Sequence, residues 1–261
     1  MPSAVHKVLL FVPECLETVL LELDQRTLLT LAQRVCKTWH DKIHTSPSLR
    51  KKLFLQPLSK ILPSEPDSEA RTVNPLLAEV FPAFFASLVP PNLGNRVSAS
   101  AALIPPKDRF LRRGASWRAM LVEYPIRRKI GYIENRGMCE QSYYSGVLEV
   151  PEGATMGKLY DLAYSKALGS QPTRDTCFGV YWRQKKDDPP LNSYSYRGGR
   201  EEIALSQMGG DVNIVVCVNL AGRRPLERAK GPNDLSERHM PKEFEFSNLE
   251  LCCTNSHDWF G

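Results

Sequence analysis

The chain of 261 residues lacks any apolar run long enough to cross a bilayer. Its longest, Val8 to Pro13 and Asn213 to Leu220, fall far short of the roughly 20 residues a spanning helix needs. Lys7 precedes only a brief apolar stretch before Pro13 and Glu14 intervene, so a secretory leader is not expected. The seven cysteines (15, 36, 139, 177, 217, 252, 253) are odd in number and form no C-x-x-C pair. The expectation is reduced thiols in cytoplasm or nucleus. Charge of one sign is also scarce. Lys plus Arg outnumber Asp plus Glu by 34 to 29, and a dedicated nucleic-acid binder usually shows a larger, more clustered excess. No Gly-x-x-x-x-Gly-Lys-Ser/Thr loop is present, and the glycine pairs 198–199 and 209–210 fit no phosphate cradle. No internal period supports leucine-rich repeats or a propeller. Cys252, Cys253 and His257, with His239 upstream, do not make two well-spaced ligand pairs. His257-Asp258 has no context marking a thiolate nucleophile. No metal, cofactor or catalytic residue is expected, and the chain does not read as an enzyme.

What is present is ordinary globular material: 42% hydrophobic and 24% charged residues, enough for a real core. Twenty prolines break the chain into short elements. The richest stretch is 8–55. Pro13 sits where a first-turn proline is harmless. Leu16, Val19, Leu20 and Leu23 follow at i, i+3, i+4 and i+7, an amphipathic stripe. Asp24 can cap a second helix carrying Leu28, Leu31, Ala32 and Val35 at the same spacing. Cys36, Trp39 and Ile43 lie on one side of a third segment ending at Ser46-Pro47, and Leu49 and Leu53 extend the pattern. Three short helices must share one small core, and the leucines exceed what that core can hide.

Val12-Pro13-Glu14-Cys15-Leu16, Val19-Leu20-Leu21-Glu22-Leu23-Asp24, Thr27-Leu28-Leu29, Val35-Cys36 and Trp39 share one register with Leu-Pro-x-Glu-Leu, Ile-Leu-x-x-Leu-Asp, Leu-Leu and Val-Cys-x-x-Trp. The stretch therefore resembles the F-box motif, departing from it in Val12, where the family has leucine. The resemblance implies a three-helix F-box that docks on a Skp-type adaptor and, through it, a cullin of a ubiquitin ligase. It implies adaptor-binding roles for Pro13, Leu16, Val19, Leu20, Leu23, Leu28, Val35 and Trp39. Spacing alone reads Leu31, Val35 and Ile43 as core, and Trp39 as a core anchor with one edge at the interface.

Residues 56–105 read as a proline-punctuated linker with short helices, among them a segment with Leu76, Leu77, Val80, Phe84 and Phe85 that Pro82 must bend or end. Lys107 to Lys129 carries eight basic and two acidic residues around Phe110, Trp117 and Tyr124. Basic side chains interleaved with aromatics are a pattern that nucleic-acid binding uses. Trp117, Met120 and Leu121 at i, i+3 and i+4 favour a buried anchor with the arginines as a solvated rim. From 106 to 261 the pattern is strands (Ile130 to Ile133, Ser145 to Val150, Cys177 to Arg183, Asn213 to Leu220, and an edge in Glu243 to Cys253) with one strong helix. Thr155 caps that helix, Met156, Leu159, Tyr160 and Ala163 form its stripe, and Gly169 ends it. The fold class expected is α+β with a mixed sheet. This part is expected to fold separately, with few contacts across the linker. Ser116 to Leu121 and Met156 to Leu162 resemble segments in the C-terminal halves of F-box proteins from filamentous fungi. Lys185 to Arg200 reads as an exposed loop in which Tyr194, Tyr196, Arg197 and Arg200 could contact a client. The alternatives are a Skp-bound protein acting outside a ligase and a basic nucleic-acid binder.

Overall fold

A computed structural model describes residues 13–55, 71–86, 97–98, 112, 114–136, 142–168, 173–183, 208–225 and 250–252. Pro13 opens helix α1 (Pro13–Glu22). Asp24 then caps α2 (Gln25–Thr30), its carboxylate accepting from the Thr27 amide at 2.9 Å. That helix stops after six residues, and a 3-10 turn (Ala32–Arg34) replaces the continuation the leucine spacing implies. Helix α3 (Lys37–Thr45) follows, then α4 (Pro47–Lys52), where Ser46 is the cap and Pro47 the first residue. The apolar extension at Leu49 and Leu53 is thus a helix and its C-cap, and both side chains are fully buried.

The end of α4 joins the helices to the rest. The Leu55 amide donates to the Arg50 carbonyl and the Phe54 amide to that of Lys51, both near 3 Å. This double bond pattern needs a left-handed residue just past the helix, usually glycine. Phe54 fills it at φ 55°, a cost of about 1–2 kcal/mol for a residue with a Cβ. The buried ring lies 5.0 Å from that of Tyr124, and the Phe54 carbonyl accepts from the Leu121 amide. Leu55 and Met120 form a β-bridge beside it. Burial of the phenyl ring offsets the backbone strain.

Two-residue strands β1 (Thr72–Val73) and β3 (Glu123–Tyr124) pair antiparallel. Between them in sequence, Asn74 caps α5 (Pro75–Val80), and a break at Phe81 starts α6 (Pro82–Phe85) at the proline. Asn74 is fully buried. Its Oδ1 accepts from Leu77 and its Nδ2 donates to the Leu121 carbonyl, which ties this segment to the single turn α7 (Ser116–Ala119) that precedes Met120.

The main sheet has the order β2-β6-β7-β4-β5-β8. Its strands are β2 (Val97–Ser98), β4 (Lys129–Arg136), β5 (Ser142–Glu149), β6 (Thr173–Trp182), β7 (Ile214–Pro225) and β8 (Glu250–Cys252). Strands β4 and β7 run parallel while every other pairing is antiparallel, so the sheet is mixed and the class is α+β. β8 lies at the edge, within the stretch read as an edge strand. Thr155 accepts from the Lys158 amide at the start of α8 (Met156–Leu168). The predicted stripe, Met156, Leu159, Tyr160 and Ala163, is buried against Ile130, Tyr132, Phe178, Val180 and Val216. Gly169 lies outside the described residues. The other face of the sheet buries Ile133, Val215 and Cys217 with Met208 and Val212. Gly131 permits that approach, since a Cβ there would stand 2.8 Å from the Met208 sulfur.

One apolar cluster runs from Leu16 and Leu20 through Leu53, Leu77 and Trp117 to Val218. Residues 71–86, read from sequence as linker, lie inside it. Contacts thus cross the stretch that was expected to carry few of them.

Candidate docking surface

Helices α1 to α4 sort their apolar residues into two sets. Leu16, Leu20, Leu28, Ala32, Ile43, Leu49 and Leu53 are buried. Leu16, Leu20 and Leu28, assigned to a partner from the motif, therefore hold the chain's own helices together and offer no surface. A stripe must first close the core of its own unit, and a core this small consumes the best-placed leucines. Leu23 and Trp39 are half-buried against the same cluster. Pro13 begins α1.

The exposed set is Val19, Leu31 and Val35, at 40%, 62% and 60% of full exposure. Leu31 and Val35 were read as core from their spacing. They bracket the 3-10 turn instead, and both are exposed. Arg34 and Lys37 beside them are exposed, and no acidic residue occurs between Asp24 and Asp41. The result is an apolar pair in a cationic setting. Spacing alone could not reveal Leu31. The usable signal was the surplus, since Leu28, Leu29 and Leu31 cannot all point the same way within one turn.

The scaffold under this surface is polar and cross-linked. Glu17 on α1 forms an ion pair with Lys42 on α3 at 2.6 Å and accepts from the Ser46 hydroxyl at 2.7 Å. The hydrogen bond from Lys42, then that from Ser46, holds the Glu17 carboxyl below its usual range. Asp24 is held low in the same sense by the Thr27 hydroxyl and amide. His44 is pushed down by burial and by the neighbouring His40.

Part of the basic middle stretch lies among the described residues. Trp117 is buried, and Arg118 beside it forms an ion pair with Asp161. Arg127 faces the buried Glu123 at 3.7 Å, and Arg71 bonds that carboxylate directly. Burial pushes the Glu123 carboxyl up, with Arg71 opposing the shift. Lys129 pairs with Asp211 at 2.6 Å and Glu149 at 3.6 Å. Among the described residues of this stretch, Arg118, Arg127 and Lys129 thus face carboxylates of the chain. The segments Ser116 to Leu121 and Met156 to Leu162 meet in space. The Met156 amide donates to the Met120 carbonyl, Trp117 and Tyr160 pack edge to face, and Arg118 pairs with Asp161.

Tyr194, Tyr196, Arg197 and Arg200 lie outside the described residues, as do Cys139 and Cys253. Cys15, Cys36, Cys177 and Cys217 form no disulfide. Among the described residues no group of three or more His, Cys, Asp or Glu could hold a metal, and no helix is long and apolar enough to cross a membrane. Comparison with known proteins finds no matching family model, no matching curated protein and no matching solved structure.

Proposed function

We propose that the chain is a non-catalytic adaptor subunit. Its N-terminal helices serve as an F-box-like element that docks on a Skp-type adaptor, and its α+β part holds a client for a cullin-RING ubiquitin ligase. The observation that carries this reading is the exposed pair Leu31 and Val35 beside Arg34 and Lys37, on the helices that bear the motif. Apolar side chains in the open, rimmed by charge of one sign, suit a protein partner with an acidic, partly apolar face. Val19 and the half-buried Leu21, Leu23, Leu29 and Trp39 are further motif residues with surface to offer.

The test is co-precipitation of the full chain with a Skp-type adaptor. Each desolvated aliphatic contributes about 1.5–3 kcal/mol, so Leu31→Asp with Val35→Asp should weaken adaptor binding by about a hundredfold or more while leaving circular dichroism unchanged. Leu20→Asp should lose binding by unfolding the helices, visible in the same spectrum. Absence of wild-type binding, or full binding by a folded Leu31/Val35 variant, overturns the reading. Cullin recovered with the adaptor supports the ligase role, and adaptor without cullin supports a function outside it.

A further inference from the structure

His40 and His44 stand one turn apart on α3, in the run His-Asp-Lys-Ile-His. Their ring centroids are 4.3 Å apart with the planes tilted by 43°. Two histidines at i and i+4 present imidazoles to one point above a helix face, the spacing that binds a metal in helical zinc motifs. We infer that His40 and His44 form a two-imidazole chelate for a borderline divalent transition metal such as Ni2+, Cu2+ or Zn2+.

The distances support it. A metal–nitrogen bond of about 2.1 Å plus an imidazole radius of about 1.2 Å sets the centroids about 4.7 Å apart for a right angle at the metal, and about 5.4 Å for a tetrahedral one. The rings stand within about 1 Å of either arrangement, a change that rotation about the side-chain bonds supplies. Asp41 completes the design from outside the metal. Its Oδ1 lies 3.3 Å from His40 Nδ1, so a proton on Nδ1 points to the carboxylate and leaves the Nε2 lone pair for a metal. His40 and Asp41 are half exposed, giving an ion direct access from solvent.

The charges around the pair set the expected strength. Arg50 on α4 donates to the His44 carbonyl at 3.3 Å and repels a cation. Lys37 is exposed on the same helix, whereas Lys42 is offset by Glu17. With no third protein ligand among the described residues, the remaining positions fall to water. Imidazole donors suit the later first-row metals over Mg2+ or Ca2+.

The experiment is calorimetric titration of the untagged full chain with NiCl2, in a buffer that does not bind metal. The wild type should bind one ion. His40→Ala and His44→Ala should each weaken binding about tenfold or more, because the second contact is intramolecular only when both rings are present. All variants keep the same thiols, so the difference reports the imidazoles. A third variant, His44→Ala with Thr45→His, keeps both rings and moves one off the turn. It should lose the chelate as fully as the deletions. The metal should also raise the thermal midpoint of the wild type and leave the variants unchanged, since the spacing exists only in the folded helix. Equal Ni2+ binding by wild type and variants, or retained binding by the shifted-histidine variant, overturns the inference.

Discussion

Glu17 sits where α1, α3 and the cap of α4 meet. The Ser46 hydroxyl that donates to its carboxylate also accepts from the Leu49 amide, so one side chain ties three helices. The Glu17 pKa is lowered from 4.5, so the ionised form is favoured in the folded state. Its contribution is present above the unfolded value and is lost as the pH falls through the folded one. For a partly exposed pair, about 0.5–1 kcal/mol is reasonable. Glu17→Gln should therefore lower the urea midpoint by more at pH 7 than at pH 3. Equal losses at both pH values would mean that the charge is irrelevant and that only packing was disturbed. Leu31 makes the opposite point at the same scale. Its neighbour Leu28 obeys the stripe and is buried, while Leu31, three residues on, is exposed. The period alone does not separate the two, since the Leu31 amide still bonds the Thr27 carbonyl at the α-helical spacing.

Among the elements, the long periodic ones could be read and the short ones could not. The α8 stripe, the Asp24 and Thr155 caps, and strands β4, β5, β6 and β7 follow from residue pattern, because each depends mainly on its own side chains. Strands β1 and β3 are two residues each and pair Thr72 with Tyr124 across a wide gap in sequence, so neither carries a local signal. The parallel pairing of β4 with β7 is set by the whole sheet. The match between α7 and α8 was half visible. Met156 to Leu162 stands out in the sequence as a fragment, but the use of Gly157 within it depends on the partner helix. A Cβ on Gly157 would stand 2.7 Å from the Arg118 carbonyl oxygen, which is backbone and cannot step aside. Alanine is the better helix former by about 1 kcal/mol, yet overpacking of this kind typically costs about 1–3 kcal/mol. Gly157→Ala should thus lower the urea midpoint despite improved helix propensity. A raised midpoint would show that α7 and α8 can separate without loss.

Taken as a whole, the chain joins its helical unit to its sheet through a narrow but specific contact. Leu55 bridges Met120, the Phe54 carbonyl accepts from Leu121, the Tyr124 hydroxyl donates to the Leu55 carbonyl at 3.4 Å, and Arg26 pairs with Glu79 at 2.7 Å on the surface. Met120, Leu121 and Val122, which lie against this junction, are buried, and residues 71–86 pack into the same apolar cluster. The proline-dense composition of 56–105 pointed to a spacer, because composition reports how often a chain must turn and says nothing of which side chains find partners. The consequence can be checked by placing a specific protease site between Ser64 and Glu65 and cutting the folded full chain there. The helical fragment should stay bound through gel filtration in native buffer, held by apolar burial and by backbone bonds that the cut does not touch. It should part from the remainder only in denaturant, in the same transition that exposes Trp117 and Trp182. Fragments that separate in native buffer would mean that the junction is a tether, and that the sheet holds its shape without the helices.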